Sequence, residues 1–111
     1  MESILITIKK LLGMTEEYEA FDTDVITHIN SAFFTLYQLG VGPQEPFSIS
    51  GDQEQWTDFS PNISKLESVK SYVYIKVRLI FDPPQSGQVL QSYERQIQEL
   101  EWRLLDINDE I

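Results

Sequence analysis

The chain has 111 residues, of which 41% are hydrophobic and 12% aromatic, enough apolar content for a folded domain and too much for global disorder. Eight basic residues against eighteen acidic ones give a formal charge of −10, which excludes a protein that grips nucleic-acid phosphates through clustered Lys and Arg. The absence of cysteine excludes disulfide staples and thiolate metal sites.

This length predicts one domain over residues 1–111, burying roughly 60–70% of the surface its unfolded chain exposes. The apolar run Ile4–Ile8 follows Met1-Glu2-Ser3, which lacks the positive start of a signal peptide. Lys9-Lys10 interrupts the run well short of membrane-spanning length, so the expected location is the cytoplasm or a particle interior. A first helix is predicted over Ser3–Leu12, with Ile4, Leu5, Ile8, Leu11 and Leu12 on one face, Lys9 and Lys10 on the other, and Gly13 as its stop. Two lysines make a weak polar face for a membrane-surface helix, and core packing explains the same stripe. Met14–Ala20 reads as an acidic connector, in which Glu16, Glu17 and Glu19 form a solvated turn with no implied ligand pocket.

A second helix is predicted from Asp22 or Thr23, either of which can cap it, to Leu39 before Gly40. Its core face is Val25 or Ile26, Ile29, Phe33, Leu36 and Tyr37, and Phe34 points elsewhere as a candidate contact to another chain. The only histidine, His28, lies here. Catalysis or metal binding would require partners at helical or motif spacing, and Asp24 alone supplies one, so His28 reads as a surface or packing residue.

Val41–Phe59 is a long connection, which makes it a candidate for function. Phe47-Ser48-Ile49, the Gly51-Asp52 turn signal and Trp56-Thr57-Asp58-Phe59 allow two readings. One is a loop folded onto the core by its aromatics. The other is a short β-hairpin arm that gains order on contact with a neighbouring subunit.

The third helix is predicted from Ser60, as N-cap with Pro61 at the first helical position, to Asp82-Pro83-Pro84. Ile63, Leu66, Val69, Val73, Val77 and Ile80 follow one helical face, and Tyr72, Tyr74, Ile75, Leu79 and Phe81 cover the other sides. The segment Ile75–Leu79 also alternates as a strand would, but no breaker separates Ile63 from Phe81, and the helical face is continuous. A helix apolar on nearly every side predicts burial against another chain, because so short a protein offers little interior.

Ser86-Gly87 precedes a fourth helix that runs to about Leu105. Leu90, Tyr93, Ile97, Leu100 and Leu104 form a heptad-like seam, and Arg95, Glu99 and Arg103 stack at four-residue spacing on another face. Trp102 flanks the seam as a candidate partner anchor. The tail from Asp106 is acidic and expected to fray. The expected fold is mainly α: a four-helix compact domain with a long loop or short β-hairpin between helices 2 and 3. No repeat, phosphate loop, metal-spaced cluster or nucleophile motif occurs, so neither an enzyme nor a cofactor-binding protein is expected.

Three of these segments, AFDTDVITHINSAFFTLYQLGVGP at Ala20–Pro43, VKSYVYIKVRLIFDPP at Val69–Pro84 and QELEWRLLD at Gln98–Asp106, together resemble a known family. The chain is similar to head–tail connector (adaptor) proteins of long-tailed bacteriophages and prophages of Gram-positive hosts. The likeness spans nearly the whole length, apart from Ser50–Gln55. It implies a structural virion protein that forms a ring, commonly of twelve copies, under the portal and joins the DNA-filled head to the stopper or tail. It further implies that DNA passes through the ring without specific binding, that no membrane is involved, and that the protein resides in the host cytoplasm before assembly. On this reading Arg95, Trp102 and Arg103 are the expected portal contacts, while Trp56, Phe59, Tyr74 and Phe81 are the expected subunit contacts.

Three other readings compete. An acidic DNA mimic that inhibits a host DNA-binding enzyme accounts for the charge but not for the apolar third helix, and its acids are scattered. A regulator forming a helical dimer would dimerise without phage components. A stopper or tail-completion protein shares the size and charge of an adaptor.

Overall fold

The computed structural model describes residues 2–109, and among them the secondary structure is helical: α1 (Ile4–Leu11), α2 (Asp22–Gln38), α3 (Trp56–Phe59), α4 (Ile63–Phe81) and α5 (Gly87–Asp109). The two glycine stops act as expected. Gly40 has φ of +81°, donates to Tyr37 O at 3.0 Å, and lets Val41 N reach Leu36 O at 2.9 Å, the paired hydrogen bonds that satisfy the last carbonyls of α2. Gly13 closes α1 in the same way through Lys10 O and Lys9 O. Pro83-Pro84 ends α4, and Ser86 Oγ accepts from Val89 N at the start of α5.

Two predicted caps lie elsewhere. The N-cap of α4 is Asn62, whose Oδ1 accepts from Lys65 N, whereas Ser60 terminates α3. At α2 the N-cap position is Phe21, and the Asp22 carboxylate is committed to Lys9 instead of to the backbone. That ion pair also corrects the reading of α1. Lys9 is not on a solvated face: it is buried, with Nζ 2.8 Å from Asp22 Oδ1 and 3.0 Å from Glu16 O, so it pins the acidic connector to α1.

The helix α4 is the centre of the molecule. α2 and α5 each pack along it, α1 lies against α2 and α4, and α3 sits near its N-terminal half. Leu66, Val69, Tyr72, Val73, Ile75 and Val77 are consequently buried by the chain itself. The apolar content of α4 therefore does not require another subunit, because four flanking helices of one chain wrap a central one from several sides. Ile63 and Ile80, near its two ends, remain exposed. From α2 the core receives Val25, Ile29, Ala32, Phe33 and Leu36, while Tyr37 is exposed and stacks near Phe34, 5.9 Å between ring centroids.

The connection from Val41 to Gln55 folds back onto the core, and the hairpin arm does not form. Its only ladder feature among the described residues is an isolated bridge between Ser3 and Gln55, with Ile4 N donating to Glu54 O at 3.0 Å. Asn30 of α2 holds its middle: Ile49 N donates to Asn30 Oδ1 at 2.7 Å and Asn30 Nδ2 donates to Ile49 O at 2.9 Å. Phe33, Phe47 and Phe59 pack as a ring cluster with centroids 4.9 to 5.5 Å apart. An arm would have left these rings in water, where a lone hairpin is marginal.

Candidate functional site

The seven residues singled out as contacts fall into four environments. Trp56 and Phe59 are core residues, 0% and 4% exposed. Trp56 Nε1 donates to Thr7 Oγ1 at 3.1 Å, and Thr7 in turn donates to Ser3 O at 2.7 Å, so the indole ties α3 to α1. Burial removes both residues from the surface available to a neighbouring subunit.

Tyr74 is half-buried, accepts from Arg78 Nη1 at 2.9 Å, and borders a cleft of about 430 Å³ between α1, α4 and α5. Thr7, Leu11, Ile75 and Tyr93 line the same cleft, with the Lys70–Glu67 pair at its side. Arg78 also lies 5.7 Å from the Tyr93 ring centroid, which links α4 to α5.

Arg95, Trp102 and Arg103 are exposed on the outer side of α5. The predicted seam faces inward, with Leu100 and Leu104 buried and Tyr93 and Ile97 partly so, and that register turns Trp102 outward at 68% exposure. Arg103 Nη2 is held by Glu99 Oε1 at 2.6 Å one turn earlier, as the four-residue spacing predicts. Two residues before Arg103, on the opposite side of the helix, Glu101 faces α4 and accepts the Tyr72 hydroxyl at 2.7 Å. Burial, reinforced by this carboxylate, pushes the Tyr72 phenol well above its ordinary range, so it remains a neutral donor.

The remaining candidate, Phe81, belongs to an aromatic cluster not anticipated from the sequence. Tyr18 and Phe21, 47% and 42% exposed, stand 5.8 Å apart by ring centroid; Phe21 meets Phe81 edge-on at 5.4 Å, and His28 lies 6.5 Å from Phe81. The cluster forms where the connector, the start of α2 and the end of α4 converge. His28 is thus an aromatic neighbour, and no group of three or more His, Cys, Asp or Glu side chains among the described residues is placed to hold a metal. Tyr18 and Phe21 escape periodicity because they lie in irregular chain.

Charge is segregated along the same lines. The stretch from Leu11 to Ser64, which holds the connector, α2, the long loop and α3, carries nine of the eighteen acids and none of the eight bases. That pattern was countable in the sequence. No helix among the described residues is long and apolar enough to cross a membrane.

A protein-family model described as phage connector protein matches residues 4–110, thereby spanning all five helices. No curated protein and no solved structure matches the chain.

Proposed function

The chain belongs to the phage head–tail connector family, and from that membership we propose that its copies form a ring of twelve beneath the portal, joining the DNA-filled head to the stopper or tail. The observation that carries this reading is the extent of the match, which runs from the first residue of α1 past the last of α5. Within it, the outer side of α5 is the proposed portal contact. An exposed Trp flanked by Arg95 and Arg103 is the kind of anchor that concentrates binding energy once a partner desolvates it. The formal charge of −10 suits a channel through which a polyanion must slide without sticking.

Sedimentation of the purified protein with portal-bearing, DNA-filled heads of the same phage, with bound copies counted per head, tests the proposal. Saturation at one ring per head is expected, and Trp102→Ala should fold normally yet lower occupancy. Absence of binding by folded protein to competent heads would overturn the reading.

A further inference from the structure

Tyr18 and Phe21 form an exposed aromatic surface, backed by the partly buried Phe81 ring, that the chain itself leaves uncovered. Its margin is acidic. Glu17 and Glu19 flank Tyr18, Asp24 lies one turn from Phe21, Asp82 follows Phe81, and all four are exposed. We infer that this surface docks a segment of a different protein that carries an apolar anchor between Lys or Arg side chains.

Charge decides against a second copy of this chain as the occupant. Two copies meeting through this surface would bring like charges together, which opposes association. Nor does the rest of the molecule offer a complementary one. Lys9 and Lys65 are buried, Lys10 is paired with Glu2, Lys70 with Glu67 and Arg103 with Glu99, Lys76 lies over the Tyr72 ring, and Arg78 is bound to Tyr74. Arg95 is the one base without an ion pair, hydrogen bond or ring contact among the described residues. A single free cation does not balance the nine acids of Leu11–Ser64, of which Lys9 pairs with Asp22 alone. A basic partner does, and aromatic rings supply its apolar and cation–π contacts.

The inference rests on the connector reading for the partner's place, across the head–tail joint, but its chemistry is testable alone. The first probe is an amphipathic peptide of alternating Lys and Leu residues, titrated into the isotope-labelled protein. Amide shifts should centre on Tyr18, Phe21, Asp24 and Phe81, and a Glu/Leu peptide should give none. Glu17→Gln/Glu19→Gln/Asp24→Asn should weaken the Lys/Leu peptide about tenfold and flatten its salt dependence. Shifts centred on Phe34 or Trp102, or an unchanged affinity in that variant, would overturn the inference. So would disulfide-linked dimers of Phe21→Cys in a chain that is otherwise free of cysteine.

The second probe is joining of heads to tails in extract. Tyr18→Ser/Phe21→Ser changes two exposed side chains and should keep its thermal midpoint while lowering joined particles at least about tenfold. Normal joining by this variant would overturn the inference and leave the connector reading intact. Failure of the unaltered protein to act on heads would overturn the connector reading, and the peptide experiment would still judge the surface.

Discussion

Lys9 Nζ lies 2.8 Å from Asp22 Oδ1 with only 2% of the Lys9 side chain reaching solvent, so the start of α2 is fastened to α1 by an ion pair that closes the acidic connector between them. Removing one member of a buried pair leaves the other partly unsolvated. Asp22 is 27% exposed and can recover some hydration, so Lys9→Ala should cost about 2–3 kcal/mol, less than a fully buried pair. Lys9→Met keeps the packed stem and should cost about half as much. Thermal midpoints ordered wild type, Met, Ala are expected, and equal midpoints would show that the pair adds nothing.

Asn30 substitutes for a strand partner by bonding both the N–H and the C=O of Ile49. Asn30→Ala leaves two backbone groups of a partly buried segment without partners, at about 2 kcal/mol. Asn30→Asp keeps the acceptor but sets a carboxylate against a carbonyl, so it should not rescue. Hydrogen exchange gives the local readout: the Ile49 amide should lose protection in Asn30→Ala, well beyond the change at Ile29. Unchanged protection would show that the loop is held by Phe47 and Phe59 alone.

Gly42 and Gly40 separate two reasons for glycine. Both have positive φ, +98° and +81°, but only at Gly42 would a Cβ run into the Phe59 ring. Gly40→Ala should therefore cost about 1–2 kcal/mol, the left-handed penalty alone. Gly42→Ala should cost at least about 1 kcal/mol more, because the Phe59 ring is locked between Phe33 and Phe47. Denaturant unfolding of the two single variants makes the comparison, and equal midpoints would mean that the ring yields freely.

Much of this architecture is legible in the residues because helices announce themselves by period. The inward seam Leu100–Leu104, the outward Phe34 and the glycine stops all follow from spacing of 3.6 residues and from backbone freedom at glycine. The reading fails where contacts come from irregular chain. Trp56 and Phe59 carry no period within a four-residue helix, so their burial depends on α1 and α2 being in place. Lys9 is a polar residue by type and a core residue by virtue of Asp22, a partner that no local pattern indicates. The Tyr18–Phe21–Phe81 surface needs the far end of α4 to meet the connector, a tertiary event invisible to any window of sequence. The caps at α2 and α4 differ from the expected ones for a smaller reason: Asp22 has a better partner than the backbone, and Asn62 Oδ1 accepts from Lys65 N.

The bond between the Tyr72 hydroxyl and Glu101, 2.7 Å long, joins α4 to α5 and should give the protein an alkaline limit. Burial first, and then the neighbouring carboxylate, raise the phenol above its ordinary value of 10.0. In the unfolded chain the same tyrosine ionises near pH 10, so above that pH the folded state holds a proton that the unfolded state has released. Tyr72 therefore contributes its full stability below about pH 10 and loses it progressively as pH rises toward the folded value. Tyr72→Phe removes the hydrogen bond, costing about 1–2 kcal/mol at neutral pH, and also removes this alkaline loss. Urea midpoints of the two proteins should converge above pH 10. A gap that stays constant across this range would show that the Tyr72 proton is not retained by the fold.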